Sequence, residues 1–225
     1  MGFRVRDLTP AVLDELPVPC RSCVFWEVEG QRGGGDPPRQ AALAKEAWWQ
    51  ATQLEWGAPG KAVYLEDTLA GFAVFAPAPH FPRTHRLGPA PSADALLLAT
   101  LWVDPVHRGT GAATLLLQSL LRETLRRRAR ALECYGDRMG SLDPSQAPPA
   151  EAGRCVLPEG FLLAAGFSVR SEHAMFPLLR LDLRQTVRWQ ESVGHALEGV
   201  VTALSRRERA PAPVRSPAET VTLPR

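Results

Sequence analysis

Residues 95–113 constrain the fold of this chain more than any other stretch. An apolar run, Ala95 to Val103, stops at Asp104-Pro105. Arg108-Gly109-Thr110-Gly111-Ala112-Ala113 follows, and the apolar-periodic residues from Thr114 to Arg130 read as a helix. Strand, glycine turn and helix start in this order present a row of backbone donors. The first N–H groups of a helix have no internal partner and point outward. The aligned peptide dipoles place partial positive charge there. Glycine lets the backbone approach an anion with no Cβ in between. The stretch is therefore either an anion-binding loop or a glycine turn into an ordinary core helix.

Three anion loops compete. A nucleoside-triphosphate loop requires G-x-x-x-x-G-K-[ST], and no lysine occurs after Lys61. A dinucleotide loop requires G-x-G-x-x-G/A and an acidic residue further on. Gly109 and Gly111 supply its first half and Glu133 its acid, but Thr114 stands at the third glycine position. The third loop fits best. Val103-x-Pro105-x-x-Arg108-Gly109-x-Gly111-x-Ala113 resembles the acyl-CoA pyrophosphate loop of the GNAT superfamily of N-acyltransferases. That signature is Arg/Gln-x-x-Gly-x-Gly/Ala after a strand ending in Val-x-Pro. A downstream Gly166-Phe167 pair extends the resemblance, because the family often ends its last helix there.

The 225 residues suffice for one sizeable core. A net charge of +2 gives no strong pull on nucleic acid or membrane. No signal-like start and no membrane-length apolar run is present, so a cytoplasmic protein is the expectation. The basic residues are almost all arginine, with Lys45 and Lys61 the only lysines. Arg122, Arg126, Arg127, Arg128 and Arg130 cluster at the end of the expected helix. Cations there complement the helix dipole; a docking patch for an acidic partner is the alternative. Cys20-Arg21-Ser22-Cys23 is a C-x-x-C that follows Pro17-Val18-Pro19 rather than opening a helix after a strand. Cys134 and Cys155 are isolated in sequence, with His173 available to join them. Ordinary reduced thiols and no metal are the expectation; a zinc or redox role is the competing one.

Along the chain, Phe3–Asp7 alternates like a half-buried strand. Thr9-Pro10 opens a short helix, Ala11 to Leu16, ended by Pro17 and Pro19. Residues 23–28 are ambiguous, and 31–36 form a glycine-rich loop. Asp36-Pro37 opens a second helix to about Glu55, with Leu43, Ala47, Gln50 or Ala51 and Leu54 along the inner face and Trp48, Trp49 and Trp56 adding bulk. Lys61–Glu66 and Leu69–Ala76 read as a hairpin turning near Asp67-Thr68. Residues 77–92 form a long loop in which His80, Arg83, His85 and Arg86 offer either substrate contacts or solvated surface. Ala95–Val103 is apolar enough to be buried on both faces. Ala113, Leu117, Leu120, Leu121 and Leu125 face inward from the following helix. Ala131–Tyr135 is a strand, residues 136–156 an insertion loop and Pro158–Ala165 a helix. Phe167–Ser171 and Met175–Leu183 are two further strands.

This order matches the GNAT order over about residues 3–184. The resemblance implies an α/β (α+β) fold: a mixed, mostly antiparallel six- to seven-stranded sheet flanked by about four helices. The expected organisation is a domain over 1–184, a helix over 185–206 and a disordered tail over 207–225. The resemblance further implies acetyl transfer from acetyl-CoA to an amine carried by a small molecule or a protein. It places the diphosphate on Arg108, Gly109, Thr110, Gly111, Ala112 and Ala113. It lays the pantetheine arm along Leu101, Trp102 and Val103, where a backbone N–H would stabilise the oxyanion. It also places the helices between the first two strands beside the acceptor cleft, where Trp48, Trp49 and Trp56 are either core or cleft wall. Many members carry a proton-donating tyrosine four residues before the Gly-Phe pair. Leu162 stands at that position here, so Glu133 and Tyr135, on one face of a short strand, are the candidate catalytic groups. Two other functions compete: a non-catalytic acyl-CoA-binding module, and a C-x-x-C zinc or redox protein on another scaffold. The acceptor and the oligomeric state, a homodimer among the options, are not readable.

Overall fold

The computed structural model describes residues 2–29, 38–138 and 155–183. The expected glycine loop and Asp36 cap, most of the 136–156 insertion, the 185–206 helix and the 207–225 tail lie outside them. One sheet organises the rest. Strands β1 (Phe3–Asp7), β2 (Gly60–Leu65), β3 (Thr68–Pro77) and β4 (Ala95–Val103) run antiparallel in sequence order. β5 (Ala131–Asp137) then pairs parallel with β4. β8 (Leu178–Asp182) pairs antiparallel with β5, and β7 (Ser168–Ser171) forms the far edge. A two-residue strand, β6 (Leu157–Pro158), pairs with the end of β5. The expected mixed, mostly antiparallel sheet is thus present, with the stub β6 beyond seven main strands.

Each face of the sheet carries its own core. On one face lie α5 (Ala112–Arg126) and α6 (Glu159–Ala164). Leu116, Leu117, Leu120 and Leu121 of α5 pack there against Val63, Phe75, Leu98 and Leu132. The other face is aromatic: Phe25, Trp26, Trp49, Phe72, Phe81 and Tyr135 cluster there. It is covered by α3 (Pro38–Glu55) and by the single-turn helices α1 (Pro10–Leu13), α2 (Val18–Arg21) and α4 (Thr84–Leu87).

Several local expectations need correction. Pro17 and Pro19 do not simply end a helix: Pro17 precedes α2, which carries Cys20. Residues 77–92 are not one open loop but hold a 3-10 turn (Ala78–His80) and α4. β4 is buried on both faces only from Ala95 to Ala99; from Thr100 to Val103 it is half-buried. α5 ends at Arg126 rather than Arg130, because Arg128 takes a left-handed conformation (φ 60°). Ala129 N–H then donates to Thr124 O, closing the helix end. Within α5 Leu125 is 60% exposed and Ala113 half-buried, while Ala112 and Leu116 lie inside.

The inner face of α3 is rotated from the expected one. Ala41, Lys45, Trp49 and Thr52 are buried, whereas Leu43 is 59% and Leu54 89% exposed. An indole contributes more buried area than a leucine, and Trp49 is fully buried. Lys45 can follow it inward because its ammonium finds Glu27 Oε1 at 2.5 Å and Cys23 O at 2.7 Å. Burial pulls the Lys45 pKa down, but the Glu27 carboxylate more than offsets this and the net direction is up. Trp49→Ala should therefore cost about 3–5 kcal/mol in urea unfolding, and Leu54→Glu less than about 0.5 kcal/mol. The reverse ranking would mean that the helix presents its leucines inward.

Glu123 fastens α5 to the β1–β2 edge. Its carboxylate accepts from Arg126 Nε (2.9 Å) and Arg127 Nε (2.6 Å) and lies 3.8 Å from Lys61 Nζ. Arg127 also sits over the Trp56 ring at 3.7 Å. The Arg126 hydrogen bond, acting with Arg127 and Lys61 against the upward pull of burial, holds the Glu123 carboxyl at about 2. Its folded pKa lies below the unfolded value, so its stabilisation is complete above about pH 4.5 and fades as pH falls towards 2. Glu123→Gln should lower stability at pH 7 by about 1–3 kcal/mol. In denaturant titrations that gap should close across this acid window.

Candidate active site

β4 and β5 stay together for only three residue pairs: Ala95 with Ala131, Leu96 with Leu132 and Leu97 with Glu133. Beyond Leu97 the strands part. β5 continues beside β8 and then β6, while the β5-side edge of β4 from Leu98 to Val103 has no strand partner among the described residues. β3 holds the other edge of β4 throughout, pairing Ala73 with Leu101, Phe72 with Trp102 and Gly71 with Val103. A fork of this kind exposes a run of backbone donors and acceptors able to receive one extended chain. The half-burial of Thr100 to Val103 marks the same opening. Trp102 forms part of its aromatic wall, 5.8 Å from Phe72 between ring centroids.

The open edge runs directly into the glycine turn. Asp104 accepts from Val106 N–H at 2.9 Å and starts a 3-10 turn over Pro105–His107. Thr110 Oγ1 donates to His107 O at 2.6 Å. Gly109 and Gly111 have φ values of 78° and 90°, which residues with a Cβ rarely adopt. Gly111 is the N-cap of α5 and supplies no side-chain oxygen. Among the described residues, no backbone hydrogen bond uses the amides of Gly109, Thr110 or Gly111. The first-turn amides of α5 add to them. Arg108, Gly109 and Thr110 are exposed, so this row faces outward. Of the expected donor-site residues, Leu101 to Val103 and Arg108 to Ala113 thus lie on one continuous path.

Glu133 and Tyr135 share the aromatic face, as their alternation requires, but both are fully buried. Glu133 is the last β5 residue paired with β4. Its carboxylate accepts from Ser92 N–H (2.7 Å), Ser92 Oγ (2.5 Å) and Arg180 Nη1 (3.0 Å), and Arg170 lies 3.5 Å away. Arg180 is the directly opposed residue on β8 and also binds Asp94 and Asp182. The Tyr135 hydroxyl donates to Pro89 O at 2.6 Å, and its ring stacks on Trp26 at 6.0 Å. Burial, with the Glu133 charge nearby, pushes the Tyr135 pKa upward, so the phenol keeps its proton at neutral pH. Leu162 is fully buried in the core under α5. The hold of Arg180 and Ser92 on Glu133 was missed in sequence. The signal was an acid and an arginine each flanked by apolar residues, Leu132 and Cys134 beside Glu133 and Leu179 and Leu181 beside Arg180.

The basic loop residues tie elements together. Arg83 Nε donates to Phe25 O at 3.1 Å and its guanidinium covers the Phe25 ring at 4.4 Å. His80 O accepts from Trp48 Nε1 at 2.6 Å, and Arg86 lies 3.6 Å from Glu29. His85 is exposed. His173 Nδ1 accepts from the Phe176 N–H at 3.0 Å and its ring stacks on Phe176, apart from the cysteines. Cys134 is buried on the α5 face. Cys155, isolated in sequence, instead meets Cys23 with its sulfur 2.8 Å away. Among the described residues no three His, Cys, Asp or Glu side chains could hold a metal ion, and no helix is long and apolar enough to cross a membrane.

Residues 23–143, more than half of the chain, match the family described as the acetyltransferase (GNAT) family. The chain belongs to the GNAT family. Its relatives among solved structures share the fold at low identity. PaiA N-acetyltransferase from Thermoplasma acidophilum, in complex with coenzyme A, is 13% identical with a TM-score of 0.50, over 81% of this chain and 99% of that one. An N-acetyltransferase from Staphylococcus aureus Mu50 is 15% identical with a TM-score of 0.51, again over 81% and 99%. YncA from Salmonella typhimurium, with its cofactor acetyl-CoA, is 15% identical with a TM-score of 0.50, over 80% and 94%. No protein of curated function matches the sequence. Membership sets aside another scaffold built around the C-x-x-C pair.

Within this GNAT chain, Glu133 at the fork is a buried carboxylate held by Ser92, Arg180 and Arg170. Arg180→Ala should cost about 1–3 kcal/mol in equilibrium unfolding, because it leaves the buried carboxylate with Ser92 and the more distant Arg170 alone. The double variant Glu133→Leu, Arg180→Met should recover most of the loss. A double variant no more stable than Arg180→Ala would mean that the pair is not the source of the effect.

Proposed function

We propose that this protein transfers the acetyl group of acetyl-CoA to an amine on a small molecule or a protein. The observation that carries this reading is the unpaired β4 edge from Leu98 to Val103, continuous with the free amides of Gly109, Thr110 and Gly111. The two parts match the two ends of one ligand: an extended amide-bearing arm for the strand edge and a diphosphate for the amides. Arg108, at the mouth of the turn, positions the loop or pairs with phosphate. Acetyl-CoA supplies an acetyl group activated as a thioester. The backbone of Leu101, Trp102 and Val103 orients that arm. One of their amides stabilises the negative charge that develops on the carbonyl oxygen as the amine attacks.

Two proton movements accompany the transfer. A lysine-like amine has a pKa of about 10.4 and must lose a proton before attack. A thiol of pKa about 8.5 is a tolerable leaving group without an acid. Leu162, buried in the core, offers no proton there. Glu133 and Tyr135, the expected candidates, act on this reading as posts for the fork. Their polar atoms are engaged by Ser92, Arg180 and Pro89, which hold the 89–92 segment against β5. Tyr135→Phe should therefore keep kcat within about threefold while losing about 1 kcal/mol of stability. A fall in kcat beyond a hundredfold, with the fold intact, would restore Tyr135 as the proton donor.

Calorimetry on the full chain with acetyl-CoA, followed by thiol release in an amine panel, tests the reading directly. Binding with turnover is expected. Gly111→Val should weaken CoA binding at least about tenfold, a loss of about 1.4 kcal/mol, with circular dichroism unchanged. No Cβ clash awaits that residue, so the loss would come from the left-handed backbone that the amide row requires. Binding without turnover would make the protein a non-catalytic acyl-CoA-binding module. No uptake of millimolar CoA would end the assignment.

A further inference from the structure

Three of the four cysteines gather on the aromatic face of the sheet, opposite the face that α5 covers. Cys20 lies on α2, Cys23 in the turn after it, and Cys155 just before β6. Cys20, Cys23 and Cys155 all border the aromatic core. The Cys23 and Cys155 sulfurs are 2.8 Å apart across a separation of 132 residues. The same two segments are joined by Trp26 Nε1, which donates to Cys155 O at 2.9 Å. Trp26 in turn stacks on Tyr135. The backbone on the Cys23 side is fixed as well, since Lys45 Nζ donates to Cys23 O at 2.7 Å. The contact is therefore held by packing on both sides.

We propose that Cys23 and Cys155 form a reversible dithiol–disulfide couple, with a small-molecule disulfide as the oxidant. The geometry separates this from a metal site. Two thiolates on one tetrahedral zinc stand about 3.8 Å apart, wider than the gap here. A disulfide bond of about 2.05 Å requires a further approach of less than about 1 Å. The chemistry divides between the two sulfurs. The hydrogen bond from Cys155, aided by the Lys45 charge against the upward pull of burial, lowers the Cys23 thiol to about 7. Burial, together with the charge of Cys23, pushes Cys20 up to about 11. The Cys23 thiolate is thus the nucleophile. It attacks one sulfur of the small disulfide, forms a mixed disulfide and releases the first small thiolate. The Cys155 sulfur then attacks Cys23 and displaces the second small thiol, which leaves with the Cys155 proton. The protein loses two electrons and two protons, and one small disulfide becomes two thiols.

The bond would tie the β6–α6 arm to the turn after α2, over Trp26 and Tyr135.

Trypsin makes the test direct. Cleavage after Arg21 and Arg154 places Cys20, Cys23 and Cys155 on three different peptides. The full-length protein is equilibrated with graded ratios of oxidised to reduced glutathione, then alkylated, digested without reductant and weighed. The expected product is peptide 22–32 linked to peptide 155–170, two hydrogens lighter than the separate pair, and reversible with dithiothreitol. Cys20→Ser should leave that link in place and Cys155→Ser should abolish it. A link between Cys20 and Cys23, glutathione retained on Cys23 or full alkylation at the most oxidising ratio would overturn the proposal. So would one equivalent of zinc in the purified protein that is lost in Cys23→Ser. The unmodified chain alone gives a decisive mass, even if a variant fails to fold.

Discussion

The shape of the molecule depends on where β4 and β5 stop pairing. Two parallel strands that stayed in register would close the sheet and leave no edge at its centre. These two separate after Leu97 and Glu133. Every feature of the candidate site follows from that separation: the free edge of β4, the half-burial that begins at Thr100, and a turn that carries the chain from the edge into α5. Glu133 stands at the point of separation with its carboxylate fixed by Ser92 and Arg180. Buried ion pairs contribute little net stability compared with apolar substitutes. Their geometry is specific, however, and here it binds the 89–94 segment to β5 and β8.

The two faces of the sheet are built for different tasks. Under α5 the packing is aliphatic, and Leu162 belongs to it. The opposite face is aromatic and pairs several of its polar groups, Lys45 with Glu27, Tyr135 with Pro89 and Trp48 with His80, while the buried Trp49 Nε1 has no hydrogen-bond partner. Aromatic rings combine large buried area with a polar edge that usually finds a partner. Short connecting segments therefore become fixed, and α1, α2 and α4 hold their places as single turns.

The sheet and the glycine turn were readable in the sequence because each rests on local pattern. Alternation gave β1, punctuation gave the β2–β3 hairpin, and a long apolar run ended by Asp104-Pro105 gave β4. The 108–113 turn was readable because glycine at positive φ is a local requirement. The inner face of α3 was not, since it depends on a tertiary partner. Lys45 turns inward only because Glu27, distant in sequence, neutralises it. Leu125 was misplaced because it falls outside the arc of α5 that Leu116, Leu117, Leu120, Leu121 and Thr124 bury. Glu133 was found as a residue but not in its bonding, which involves Ser92 and a strand nearly fifty positions away. Cys155 carried no local signal at all, as only the folded chain brings it to Cys23.

The ion pairs of the two lysines have one more implication. An acetyl acceptor must present an uncharged, accessible nitrogen. Lys45 is buried against Glu27, and Lys61 is held between Asp7 and Glu123 with its side chain 15% exposed. Arginine supplies nearly all the remaining positive charge, and a guanidinium does not give up its proton in a protein. In a family that modifies amines, both lysine nitrogens of this chain are thus committed to carboxylates, which disfavours their own acetylation.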